Sequence, residues 1–229
     1  MKHAYFITGT DTEIGKTVVT LGFMQAFSDT GLQVAGMKPV ASGSEQTESG
    51  LRNDDALQIQ SLCSMALPYE TVNPYAFAEP ASPHIAAEKA GVAVQLEPLL
   101  KAFNNIVATG TEAIIVEGAG GWRVPISKGL QTFNLVRALD LPVILVVGLR
   151  LGCINHALLS AEAIQADGIE LAGWVANAVQ PEYANEEVTI GTIKQAIKAP
   201  LLGQIPYRPG IEPATVAQAL NVKILLSGE

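Results

Sequence analysis

Cysteine is almost missing from this chain: Cys63 and Cys153 are the only two among 229 residues. Two cysteines make neither a disulfide framework nor a cysteine-built metal site, so reduced thiols in a cytoplasmic protein are the simpler expectation. Histidine is nearly as scarce. His3 sits at the terminus, and His84 and His156 have no companion at metal-ligand spacing, so no histidine is given a catalytic role. Positive charge is short as well, with 14 Lys and Arg against 22 Asp and Glu and a formal net charge of −8. That balance argues against nucleic acid or an anionic membrane as the main partner, because both reward basic surfaces. Long apolar runs are absent. The greasiest, Leu141 to Leu149, contains Pro142 and Gly148 and falls far short of a bilayer span. The apolar run at the N-terminus is too short for a signal peptide. No internal repeat, low-complexity tract or second domain is visible, and one domain across 1–229 is expected.

What the chain does have is apolar material and a phosphate loop. Hydrophobic residues make up 48% and charged ones 16%, so much of the sequence must face inward or sit at a subunit contact. Short β-branched runs alternate with helical patterns, which predicts an α/β fold: a doubly wound, mainly parallel sheet with helices on both faces. Strands are expected near 4–8, 33–38, 113–117, 143–147, 171–176 and 201–205, with a weaker one at 222–226. Runs such as Ala113-Ile114-Ile115-Val116 are apolar without alternation, as in strands covered on both faces. Ala157, Leu158, Ala161 and Ile164 recur at helical spacing, and Asn53 is placed to cap a helix running through Ala56, Leu57 and Leu62. The proline- and aromatic-rich stretch 67–84 is too hydrophobic for a linker and reads as an ordered excursion. Trp122 and Trp174 read as packing or interface residues.

Gly9-Thr10-Asp11-Thr12-Glu13-Ile14-Gly15-Lys16-Thr17 follows the apolar Ala4-Tyr5-Phe6-Ile7 and opens a predicted helix. Its two glycines let the backbone curl until N–H groups point inward. A lysine then reaches the β- and γ-phosphates, a threonine hydroxyl ligates Mg²⁺, and the helix N-terminus sits beneath the anion. A nucleoside triphosphate is the expected ligand. In an open parallel sheet the ligand lies beyond the carboxyl ends of the strands. The unusual residues follow predicted strand ends one after another: Lys38-Pro39 and Ser42-Gly43-Ser44, Glu117 with Gly118 to Gly121, then Gly148, Gly152, Cys153 and Asn155, then Asn177, and Pro206-Tyr207. Lys38 is either a solvated charge at a strand end or an ammonium that neutralises transferred charge. Asp55 is either a favourable carboxylate in a first helical turn or a ligand on the metal side. Glu117 ends an apolar strand where triphosphate enzymes place an acid for Mg²⁺, although aspartate is commoner there. Asn177 reads first as a turn residue, with a base-reading amide as the alternative.

Taken in order, these segments resemble the dethiobiotin synthetases over nearly the whole chain, to about Pro206. The resemblance is carried by 9–17, Lys38-Pro39-Val40-Ala41-Ser42-Gly43, Asn73-Pro74-Tyr75, Ser82-Pro83-His84, Val116 to Gly121, Gly152 to His156, Gly173 to Asn177 and Leu201 to Pro206. It implies a P-loop NTPase fold and ATP- and Mg²⁺-dependent closure of 7,8-diaminononanoate with CO₂ to a cyclic urea, through a carbamate and a carbamic-phosphoric anhydride. It further implies that Glu13, Ile14, Gly15, Lys16, Thr17 and Val18 hold the phosphates, with Thr17, Asp55 and Glu117 around Mg²⁺. Gly118, Ala119 and Gly120 would give room for close approach, and Asn177, Ala178, Pro206, Tyr207 and Arg208 would meet the base. Lys38 and Lys16 would be catalytic, and Thr12 and Ser42 would touch the diamine. Gly152, Cys153 and Asn155 would receive the substrate carboxylate from across a homodimer interface. Three rival readings stand beside this one. A partitioning or division-site ATPase usually carries an extra lysine early in the loop, where this chain has Thr10 and Asp11. A cobyrinate-type amidase would need a glutaminase domain, and the chain has no length for one. A nucleotide-binding module without activity leaves Lys38 and Glu117 without a purpose.

Overall fold

The computed structural model describes residues 3–227. Six strands form the central sheet: β1 (His3–Gly9), β2 (Val34–Met37), β3 (Ala113–Gly121), β4 (Val143–Leu149), β5 (Leu171–Ala178) and β6 (Leu201–Ile205). Their spatial order is β6-β5-β4-β1-β3-β2, and every neighbouring pair is parallel. Parallel pairing obliges each connection to cross back over the sheet, and helices supply the crossovers. Between the strands lie α1 (Lys16–Asp29), α2 (Asp54–Ser61), α3 (Tyr69–Val72), α4 (Pro83–Lys89), α5 (Leu96–Val107), α6 (Thr132–Leu139), α7 (Cys153–Ala166) and α8 (Glu186–Ala196), while α9 (Pro213–Gln218) and α10 (Lys223–Ser227) follow β6.

The six main strands lie where the apolar runs predict them. All seven residues of β4 are buried, as are the first six of β3, which explains why neither alternates. Register then aligns the carboxyl ends. Ile7 stands opposite Glu117, Met37 opposite Val116, Gly148 opposite Asn177, and Asn177 opposite Ile205. The polar residues that follow or end these strands are therefore delivered to one edge of the sheet.

Asn53 caps α2 as expected, its side chain accepting the Ala56 N–H at 3.2 Å. The stretch 67–84 is ordered: it holds α3, the start of α4, and a two-residue strand, Tyr75–Ala76, that pairs in parallel with Val40–Ala41. Trp122 and Trp174 are both buried. The weak strand expected at 222–226 is a correction: Lys223–Ser227 is helical. Val222 and Leu225 are the buried positions, three apart, with Lys223 exposed between them. That is a helical stripe, and five residues were too few to tell it from a buried strand.

Candidate active site

The loop from Gly9 to Gly15 turns sharply out of β1 into α1. Glu13 (φ 57°) and Gly15 (φ 78°) are both left-handed, and Gly15 occupies the helix cap. A Cβ at Gly15 would come within 2.3 Å of the Asn177 amide nitrogen, so a side chain there would have to displace that amide as well as adopt a strained φ. That same amide donates to the Ile14 carbonyl at 2.7 Å, tying the loop to the end of β5. Lys16 Nζ donates to the Asp11 carbonyl at 2.8 Å. Burial lowers the Lys16 pKa from its ordinary value, and nearby Glu117 only partly offsets this. A buried ammonium under such a desolvation penalty is a ready partner for an anion. Arg150, which the sequence did not single out, pairs with the Asp11 carboxylate. A second oxygen of Asp11 accepts the Thr12 N–H at 2.8 Å, so the front of the loop is held from both sides.

Behind the loop lies a compact charge cluster. Lys38 leaves the end of β2 and donates to Asp55 Oδ2 and to Glu117 Oε1, each at 2.6 Å. Thr17 Oγ1 donates to the same Glu117 oxygen at 2.9 Å. Burial alone would lower the Lys38 pKa, but Glu117 and then Asp55 outweigh it and hold the pKa above its ordinary value. Lys38 is therefore a firmly charged, nearly buried cation. Of the two readings of Lys38 and Asp55, the surface-charge one fails for Lys38, and Asp55 is at once a first-turn acid of α2 and a partner of that lysine.

Glu117 is 0% exposed, and its Oε2 is buried without a hydrogen-bond partner. A carboxylate oxygen left this way costs free energy unless a donor or cation meets it. It fits Mg²⁺, with the Thr17 hydroxyl and the half-exposed Asp55 carboxylate as the other oxygen donors. Among the described residues no group of three His, Cys, Asp or Glu is placed to hold an ion alone, so phosphate and water oxygens would have to complete its shell.

Two clefts meet at this cluster. One, of about 580 Å³, runs from Glu13, Gly15, Thr17, Val18 and Asp55 to Asn177, Ala178, Pro206, Tyr207 and Arg208. The other, of about 780 Å³, takes in Thr12, Ile14, Lys16, Lys38, Ser42, Glu117, Gly118, Ala119 and Gly120, roofed by Pro80 to Pro83. Glu13, Gly15, Thr17, Val18 and Asp55 border both. The first has volume enough for a nucleoside, and the second gathers Lys16 and Lys38 for an anionic partner. Gly152, Cys153 and Asn155 line neither cleft. They form the start of α7, where Gly152 (φ 92°) is the cap, Cys153 is buried and Asn155 is exposed.

Comparison with known proteins agrees with this geometry. A family model described as an AAA domain matches residues 3–215. The ATP-dependent dethiobiotin synthetase BioD of Pseudomonas aeruginosa strain UCBPP-PA14 is 51% identical over 222 residues, 97% of this chain and 97% of its own. The protein of that name from Xanthomonas oryzae pv. oryzae strain PXO99A is 48% identical over 219 residues, 96% of this chain and 97% of its own. Among solved structures, a ParA family ATPase from Chlorobium tepidum TLS superposes with a TM-score of 0.54 at 15% identity, covering 100% of this chain and 96% of that one. The MinC:MinD cell division complex of Aquifex aeolicus gives 0.59 at 18% identity, covering 99% and 96%. The last two share the P-loop NTPase fold with this chain, and at that identity the likeness is one of fold alone.

Proposed function

The chain belongs to the ATP-dependent dethiobiotin synthetases, ligases that form C–N bonds in biotin biosynthesis, and on that premise we propose how its residues carry out the reaction. ATP lies along the smaller cleft, with its base toward Asn177, Pro206, Tyr207 and Arg208 and its terminal phosphate at the junction with the larger one. The diamine, 7,8-diaminononanoate, lies in the larger cleft beside Thr12 and Ser42. One amine takes up CO₂ as a carbamate. A carbamate oxygen attacks the γ-phosphorus in line, and the bond to the ADP oxygen breaks. The second amine then attacks the carbamate carbon, closes the five-membered ring and expels phosphate.

The observation that carries this reading is the Lys38 ammonium, held in the larger cleft by Glu117 and by Asp55, which borders both clefts. From there it faces charge that passes from the carbamate to the migrating phosphoryl group, and it stabilises that charge without reorganising. Lys16 leaves the Asp11 carbonyl for the β- and γ-phosphate oxygens as nucleotide enters. Mg²⁺, held by Thr17, Asp55 and Glu117 with phosphate oxygens, would neutralise the triphosphate. No covalent nucleophile is required of the protein: alignment and neutralisation are enough for phosphoryl transfer.

The substrate carboxylate is received at the start of α7 of a second subunit. Support comes from a helix N-terminus that lines no cleft of its own chain and from the neighbouring Leu151, which is 92% exposed. The two free cysteines suit a reducing, cytoplasmic setting. Incubation with the diamine, bicarbonate, ATP and Mg²⁺ should yield the cyclic urea by mass, with one ADP and one phosphate per ring. ATP hydrolysis that ignored the diamine would contradict the assignment of the clefts, and a fully active monomer in sedimentation would contradict the shared site.

A further inference from the structure

Asn73-Pro74-Tyr75 borders neither cleft, yet Asn73 is 2% exposed and Tyr69, one turn earlier, is 6% exposed. The Asn73 amide nitrogen donates to the Lys38 carbonyl at 2.6 Å and to the Tyr75 carbonyl at 3.2 Å. Two acceptors on that side leave Asn73 Oδ1 facing Tyr69, whose hydroxyl donates to it at 2.9 Å. The same hydroxyl accepts the Asn53 N–H at 2.8 Å. Asn53 in turn caps α2, which carries Asp55, and its amide nitrogen reaches the Ser42 carbonyl at 3.3 Å. The Lys38 N–H also ends on this segment, donating to the Val72 carbonyl at 2.8 Å.

We propose that Tyr69 and Asn73 are positioning residues for the reaction: one buried chain of hydrogen bonds, Asn73–Tyr69–Asn53, sets the spacing of the three backbone segments that carry Lys38, Ser42 and Asp55. The inference rests on Lys38 serving phosphoryl transfer. Those segments come from the end of β2, the loop after it and the start of α2, and no element of the main sheet holds all three together. A single hydroxyl stands where their positions are decided. Burial pushes the Tyr69 pKa up, ahead of the lowering by the Asn53 N–H and the Arg52 charge, so the hydroxyl keeps its proton and its donor direction. The Arg52 guanidinium lies 4.2 Å over the ring and fixes its plane. Where catalysis is alignment, a small displacement of the aligned groups lowers the rate without changing nucleotide affinity.

Tyr69→Phe removes only that hydroxyl. Its kcat should fall about tenfold while KM for ATP stays within about twofold. The deciding measurement is a cycle with Lys38→Ala, read as single-turnover product formation. With Lys38 gone the ammonium is no longer there to be aligned and only Ser42 and Asp55 remain, so adding Tyr69→Phe should lower the residual rate by about threefold or less, clearly under its tenfold effect in the parent. The same loss in both backgrounds, or no loss of kcat in the single variant, would overturn the inference. Near-normal turnover by Lys38→Ala alone would overturn the functional reading instead, so the two failures are distinguishable. Should Tyr69→Phe melt below the assay temperature, Asn73→Ser, which keeps a hydroxyl at the same buried corner, goes through the same cycle under the same criterion.

Discussion

Lys38→Ala should slow dethiobiotin formation by about a thousandfold while the Kd for ATP stays within about threefold. The asymmetry follows from geometry. The lysine lines the larger cleft and not the smaller one, so the nucleoside and the loop amides keep their contacts when it is lost. What disappears is a fixed cation between two carboxylates, where the proposed reaction passes charge from carbamate to phosphate. A preorganised charge of this kind is worth about 100- to 1,000-fold in rate when one donor is removed, and the other lysine of this cleft, Lys16, is turned to the Asp11 carbonyl. Lys38→Arg should not restore the rate, because a longer side chain with its charge spread over a planar guanidinium cannot place that charge where the compact ammonium sits. Isothermal titration with a non-hydrolysable ATP analogue, beside product mass over time, checks both halves. Loss of nucleotide binding in proportion to loss of rate would move Lys38 from the chemistry to the binding of ATP.

Glu117→Gln is expected to damage two properties at once. The carboxylate is wholly buried, and one of its oxygens holds both Lys38 and Thr17. Neutralising it leaves the buried Lys38 ammonium with Asp55 alone, and breaking a buried pair by altering one partner costs roughly 3–5 kcal/mol. The melting temperature should fall clearly. Separately, the Mg²⁺ concentration for half-maximal rate should rise by about tenfold or more, because the unpartnered Oε2 that the proposed mechanism gives to Mg²⁺ loses its charge. Thermal melting without nucleotide isolates the first effect, and a Mg²⁺ titration at saturating ATP isolates the second. An unchanged Mg²⁺ requirement would assign Glu117 to holding Lys38 only.

Much of this was legible in the chain because it is written locally. A strand covered on both faces must be apolar throughout, so Ala113 to Val116 and Val143 to Val147 announce themselves, and their carboxyl ends then locate Lys38, Glu117 and Asn177 on one edge. The phosphate loop is legible because its glycine and lysine spacing is dictated by the anion. The rest depends on partners far away in sequence. Arg150 meets Asp11 across 139 residues, and nothing near either residue marks the pairing. From sequence Asn177 reads as a turn residue or a base reader, whereas in the fold its amide holds the Ile14 carbonyl and the residue borders the smaller cleft. Tyr69 and Asn73 belong to a stretch legible only as ordered, since a buried tyrosine looks the same in composition whether it fills space or joins three segments. Residues 222–226 show the other limit. Five residues hold little more than one helical turn, and a buried pair three apart is lost among apolar neighbours.

Isotope transfer bears most directly on whether the ATP terminal phosphate meets a CO₂-derived oxygen in the space beside Lys38. With C¹⁸O₂ supplied in a single turnover faster than its exchange with water, one heavy oxygen should leave in phosphate and the other should remain as the ureido carbonyl of dethiobiotin. Phosphate free of ¹⁸O, formed alongside labelled product, would mean that the phosphoryl group never passed to the carbamate.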